Sequence, residues 1–183
     1  MRKIQSLGWL LVLMCVVFPY SASQQHRDPL TDSEVDQMRE AADYPDKRLE
    51  LMINFVRARL FEIQDLRTDT SAKDRPKKIH DLLQDFTALL DEIDDNMDMY
   101  GSHKTDMRKG LKLLIEADSE WQLQLRKLKE QSPAEELDQY SFVLTNASDA
   151  TKDMGDDARK ELQEQNELAK NKKLNKVYSE RPD

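Results

Sequence analysis

Scarcity narrows the possibilities first. The 183-residue chain has one cysteine, Cys15, inside an N-terminal segment expected to be removed. The remainder then has no disulfide and no thiolate to offer zinc. Only three glycines, Gly101, Gly110 and Gly155, lie beyond that segment. No phosphate-binding loop and no G-x-S-x-G nucleophile turn can be found. Histidine is nearly as rare. The residues three before His26, His80 and His103 are Ser23, Lys77 and Tyr100. The Glu-x-x-His pairs of a di-iron bundle are therefore missing, as is H-E-x-x-H. Past residue 23 no apolar run approaches the roughly 20 residues of a bilayer span. Positive charge is also in deficit, with 28 Lys and Arg against 36 Asp and Glu, a formal net charge of −8. Loss of Arg2 and Lys3 with the segment takes this to −10, which argues against nucleic acid as a partner.

The N-terminal segment reads as a secretory signal peptide over 1–23. Arg2 and Lys3 precede an apolar stretch from Leu7 to Phe18, followed by Pro19 and the small residues Ser21, Ala22 and Ser23. The stretch is too short to span a bilayer, and cleavage after Ser23 is expected. Met14 before Cys15 is not the small residue that a lipoprotein signal places there. The expected location is periplasmic or extracellular, in a bacterial envelope. A 24–30 polar leader follows.

Lys, Glu, Leu and Gln are plentiful and glycine is scarce, a composition that favours helix. Thr31 with Glu34 is a capping box for a helix over 32–42. Pro45 suits the first turn of a second. In it Leu49, Met52, Ile53, Val56, Leu60 and Ile63 step by three and four. Pro76 restarts a third, whose stripe runs Ile79, Leu82, Leu83, Phe86, Leu89, Leu90, Ile93, Met97 and Tyr100, with Gly101 as its expected cap. A fourth covers about 105–130, with Asp118 in line with its apolar stripe and Gly110 as a weak point. Ser132 and Pro133 open a fifth, with Glu135 and Glu136 in its favourable first turn. Leu137, Tyr140, Leu144, Ala147 and Met154 form a thinner stripe that Gly155 interrupts. The fold expected is all-α: an antiparallel bundle of four main helices plus a short N-terminal helix packed at one end. The bundle domain covers 31–155, a polar helical extension 156–173, and a disordered tail 174–183.

The densest acidic run, Asp91 to Asp98, raises calcium as a ligand. Asp94, Asn96 and Asp98 match positions 1, 3 and 5 of an EF-hand loop, but Met99 stands where glycine is needed and Thr105 where the bidentate acid is needed. Met97 and Tyr100 continue the helical stripe, so the acids are expected on helical backbone. With the second, third and fourth helices running up, down and up, charge separates. Arg57, Arg59, Arg67, Lys73, Arg75, Lys77, Lys78, Arg126, Lys127 and Lys129 gather toward one basic end, and the acids toward the other. The basic end could meet an anionic partner. The plainer reading is charge pairing within the molecule, with Glu135, Glu136 and Asp138 entering that end. For Asp118 the alternatives are a buried acid with a partner, or a slight rotation that carries it to water near an Arg or Lys. Asn146-Ala147-Ser148 is a glycosylation sequon inside a predicted helix.

Two resemblances add to this. Leu30-Thr31-Asp-Ser-Glu34 resembles the Leu-Thr-x-x-Gln motif of small helical periplasmic chaperones, with glutamate for glutamine and one copy instead of two. The stretches LTDSEVDQMREAADYPDKRLEL, DEIDDNMDMY and DMRKGLKLLIEADSEWQLQLR are similar to uncharacterised secreted helical proteins of acidobacteria. That resemblance implies an extracytoplasmic helical protein and carries no activity. The expected function is that of an exported, non-catalytic protein that binds proteins or has a structural role in the envelope. A chaperone-like or stress-sensing factor, or a hydrolase with an unrecognised site, is the alternative. No cofactor is expected. The partner would be another protein, or a second copy through the fifth helix, with membrane contact at most peripheral.

Overall fold

The computed structural model describes residues 28–69 and 71–179; the expected signal peptide, most of the polar leader and residues 180–183 lie outside them. Five helices account for the described fold: α1 (Asp32–Glu40), α2 (Pro45–Thr68), α3 (Arg75–Ser102), α4 (Arg108–Gln131) and α5 (Ala134–Ser179). The helical spacing of the apolar residues explains α2 and α3. Their stripes, Leu49 to Ile63 and Ile79 to Tyr100, are buried almost residue for residue. Trp121 of α4 meets Phe86 of α3 edge-on at the centre, ring centroids 6.1 Å apart.

α2 packs on α3 and on α4, and α5 packs on α3 and on α4. Among the described residues α2 and α5 are diagonal to each other, as are α3 and α4. The molecule is two helical hairpins, α2–α3 and α4–α5, laid face to face. α2 runs parallel to α4: Asp46 bonds Gly110, Arg57 bonds Glu120 and Arg67 bonds Gln131. α3 runs parallel to α5, with Arg75 bonding Glu136 near both starts. Up, down and up is the observed course of α2, α3 and α4, with α4 beside α2 and diagonal to α3.

Several boundaries differ from expectation. α3 runs through Gly101, and the left-handed turn that ends it falls on Lys104, at φ 54°. α4 begins at Arg108. Its first turn takes its cap from another helix: the Asp46 carboxylate accepts the Gly110 N–H at 2.7 Å. α1 ends at Glu40 and lies along the flank of α2, where Arg48 bonds the Met38 carbonyl and Arg59 bonds Glu34. α5 is unbroken through Gly155 and on to Ser179, so 174–179 is helix where a disordered tail was expected.

Gly110 and Gly155 sit where helices approach closely. A side chain at Gly110 would come within 2.8 Å of Leu49, and one at Gly155 within 2.4 Å of the Asp118 carboxylate. Neither glycine breaks its helix.

Candidate functional site

The acidic run lies on helical backbone, as α3 continues to Ser102. Its three calcium candidates part company. Asn96 is buried, takes the Arg48 Nε at 3.3 Å and donates to the Glu92 carbonyl at 2.7 Å. Asp94 and Asp98 face the other way, toward α5. Among the described residues no group of three or more His, Cys, Asp or Glu is arranged to hold a metal.

Asp94 and Asp98 instead form one wall of an open channel. Asp157, Glu161 and Glu164 of α5 form the other, and Lys160 is the only base among the described residues that line this channel of about 420 Å³. The parallel course of α3 and α5 creates it, by bringing two rows of acids together along one groove. The electrostatic strain is visible. Burial pushes the Asp94 carboxyl above its ordinary value, and Asp98, Asp157, Asp95 and Asp91 add to the rise. Burial and then Asp95 raise Asp91 in the same direction.

The opposite end of the bundle gathers the ends of α2 and α4 with the starts of α3 and α5. Arg67, Lys73, Arg75, Lys77, Lys78, Arg126, Lys127 and Lys129 are there. Much of this charge is already engaged. Arg75 holds Glu136, Lys77 holds Asp81 at 2.7 Å and Arg67 holds Gln131 at 2.8 Å. Asp69, held down first by the Ser71 hydroxyl and backbone, also feels Lys78. Lys73, Arg126, Lys127 and Lys129 are exposed. Arg57 and Arg59 lie halfway along α2, away from this end. Arg57 pairs with Glu120 at 3.1 Å.

Arg59 is buried. It bridges Glu34 at 2.6 Å and also bonds the Pro29 carbonyl. Glu34 simultaneously accepts the Thr31 N–H at 2.7 Å, closing the capping box. Burial acts to raise the Glu34 pKa, but the Arg59 hydrogen bond, the Thr31 backbone and the Arg59 charge outweigh it and leave the acid low. The Leu-Thr-x-x-Glu stretch is thus an anchor that ties the end of the leader and α1 to α2.

Asp118 is buried, 1% exposed, and does not rotate to water. It takes Arg159 of α5 at 2.5 Å and Gln122 at 2.6 Å, and Gly155 makes room for it. Gln165 completes the polar interior. Its amide accepts the Met107 N–H at 2.9 Å and donates to the Thr105 carbonyl at 3.0 Å, which fixes the α3–α4 connection against α5. His80 meets Asp81 at 3.3 Å, half-exposed. Asn146 is exposed on helical backbone.

Sequence reasoning passed over the α5 half of the acidic channel, because no local pattern shows that Asp157, Glu161 and Glu164 face Asp94. Their spacing of four and three on one helix face was the available signal. No family model matches the chain, and no curated protein or solved structure matches it.

Proposed function

We propose that this is an exported, non-catalytic helical protein that works by binding another protein in the cell envelope. The observation that carries this reading is the far end of α5. Gln165 is the last buried residue among those of α5 whose side chains are described, residues 170–173 are exposed, and the helix continues to Ser179. Fourteen residues of helix at 1.5 Å each carry α5 about 20 Å past Gln165. Isolated helices of this length are marginal, since helical stability comes mostly from packing. A surface for this arm to lie on is the missing element.

The use of the buried polar groups agrees. Arg59 with Glu34, Arg159 with Asp118, Arg48 with Asn96 and Gln165 with the α3–α4 connection each join one segment to another. The exposed large apolar residues Tyr44, Phe61, Met99, Leu123, Phe142 and Leu168 are divided among the start of α2 and helices α2, α3, α4 and α5, at most two to an element. Export is supported by the basic, apolar and small-residue order of 1–23.

The test is expression of the full chain in a bacterial host, followed by fractionation, N-terminal sequencing and cross-linking in intact cells. The expected result is a chain that begins at Gln24 outside the cytoplasm and forms a discrete cross-linked species. Removal of 166–183 is expected to abolish that species. An uncleaved cytoplasmic chain overturns the export reading, and a cross-link pattern indifferent to the truncation overturns the role of the arm.

A further inference from the structure

The side of α5 that faces the bundle core can be followed along its length. Tyr140, Leu144, Ala147, Thr151, Met154, Ala158 and Gln165 are buried on it. The same helical steps past Gln165 reach Ala169 and then Lys172 and Lys173. The stripe that is apolar against the bundle turns basic where the bundle stops. Between 166 and 179 the sequence has four lysines and one glutamate. Residues 170–173 are all exposed. Lys172 acts on the bundle only slightly: Asp106, held at about 2 chiefly by Arg108, also feels it.

The acidic channel opens beside this same end. Its α5 acids, Asp157, Glu161 and Glu164, stop just short of the arm. The arm cannot enter its own channel, because α5 is one unbroken helix through both and carries the lysines away. A second copy has no such constraint. Two copies placed end to end about a two-fold axis lay each arm, inner face down, along the flank of the other. The arm of about 20 Å is longer than the stretch from Glu164 back to Asp157, roughly 10 Å of helix.

We propose that the α5 arm of one copy seats in the acidic channel between α3 and α5 of a second copy, and that the contact is reciprocal. The proposal rests on the protein-binding reading above and names a second copy as the partner. Charge complementarity selects it: four lysines and one glutamate on the arm face five acids and one lysine in the channel. Symmetry reinforces it, since an isologous pair makes two equal contacts at once and leaves neither arm nor channel open.

Sedimentation equilibrium of the purified chain from Gln24 to Asp183 tests this. The expected mass is that of a dimer at about 20 mM salt and a monomer at about 500 mM, where screening shortens the reach of charge to a few ångströms. Lys170→Glu with Lys172→Glu and Lys173→Glu is expected to give a folded monomer, as is Asp98→Lys with Asp157→Lys and Glu164→Lys, with folding verified by far-ultraviolet dichroism. An equimolar mixture of the two variants restores both contacts and is expected to return to the dimer mass. A monomer at every salt concentration overturns the proposal. So does a dimer that ignores both charge reversals, or a mixture that stays monomeric. None of these outcomes decides the envelope reading, which stands or falls on fractionation and cellular cross-linking.

Discussion

Gly155 stands mid-helix, where alanine is ordinarily worth about 1 kcal/mol more. The Asp118 carboxylate occupies the space a methyl group would take, and Arg159 and Gln122 both hold that carboxylate in place. Propensity therefore loses to packing. Gly155→Ala is expected to lower stability by about 1–3 kcal/mol in urea unfolding, the usual cost of overfilling a tight contact. Asp94 behaves in the opposite sense. Its pKa is raised in the folded chain, so its carboxylate destabilises the fold at neutral pH, and the penalty fades as pH falls through the raised pKa. Asp94→Asn is expected to stabilise the monomer at high salt only slightly, by about 0.2–0.5 kcal/mol at pH 7, the scale of a like-charge pair on a helix. The gain should shrink as the pH is lowered, which a series of melts will show.

At the scale of the element, one ion pair joins α1 to the middle of α2, beside the Arg48 bond to Met38 and the buried Met38 side chain. Glu34 serves the capping box and Arg59 together, so its loss removes the hydrogen-bonded counter-charge of a buried guanidinium and leaves it the weaker pull of Glu62 and Asp85. Glu34→Gln, which turns the stretch into Leu-Thr-x-x-Gln, is expected to cost about 3–5 kcal/mol. The Glu34 pKa is depressed on folding, so its contribution is present above the unfolded pKa and is lost as pH falls through the folded one. Hydrogen exchange in α1 is accordingly expected to quicken below about pH 4, where free glutamate gains its proton, before the rest of the bundle opens. The cap was legible, because Thr31 and Glu34 are three residues apart. Arg59 lies 25 residues from Glu34, and Arg159 lies 41 from Asp118. No periodic pattern joins such residues. The stripes of α2 and α3 were legible because both helices bury wide faces of Leu, Ile and Phe. The continuity of α5 was not, since a glycine in a thin stripe reads as a break unless its neighbour across the interface is known.

For the whole molecule, the separation of charge was half visible. The direction of the helices follows from short loops, which placed Arg75 near the end of α2 and the acids at the far end of α3. The channel needed the further fact that α5 runs beside α3. The reach of α5 past the bundle also has a thermodynamic signature. Removal of 166–183 is expected to change the unfolding free energy of the dilute monomer at high salt by less than about 0.5 kcal/mol, the range of surface changes remote from any core contact. The same truncation is expected to lower the helical dichroism.

The face-to-face hairpins carry one more consequence. α3 and α4 follow each other in sequence but lie diagonally across the bundle, meeting through core side chains such as Phe86 and Trp121, so the 103–107 connection is a tether and not a tight hairpin turn. A chain severed between Lys104 and Thr105 keeps each hairpin whole, and Gln165 stays with the Thr105 and Met107 groups it binds. The two fragments expose matching apolar faces that only the other can cover. Expressed together they are expected to reassemble with a single cooperative melt, and neither alone is expected to show one. The molecule is in this sense a ready-made split protein, divisible at a seam its own topology provides.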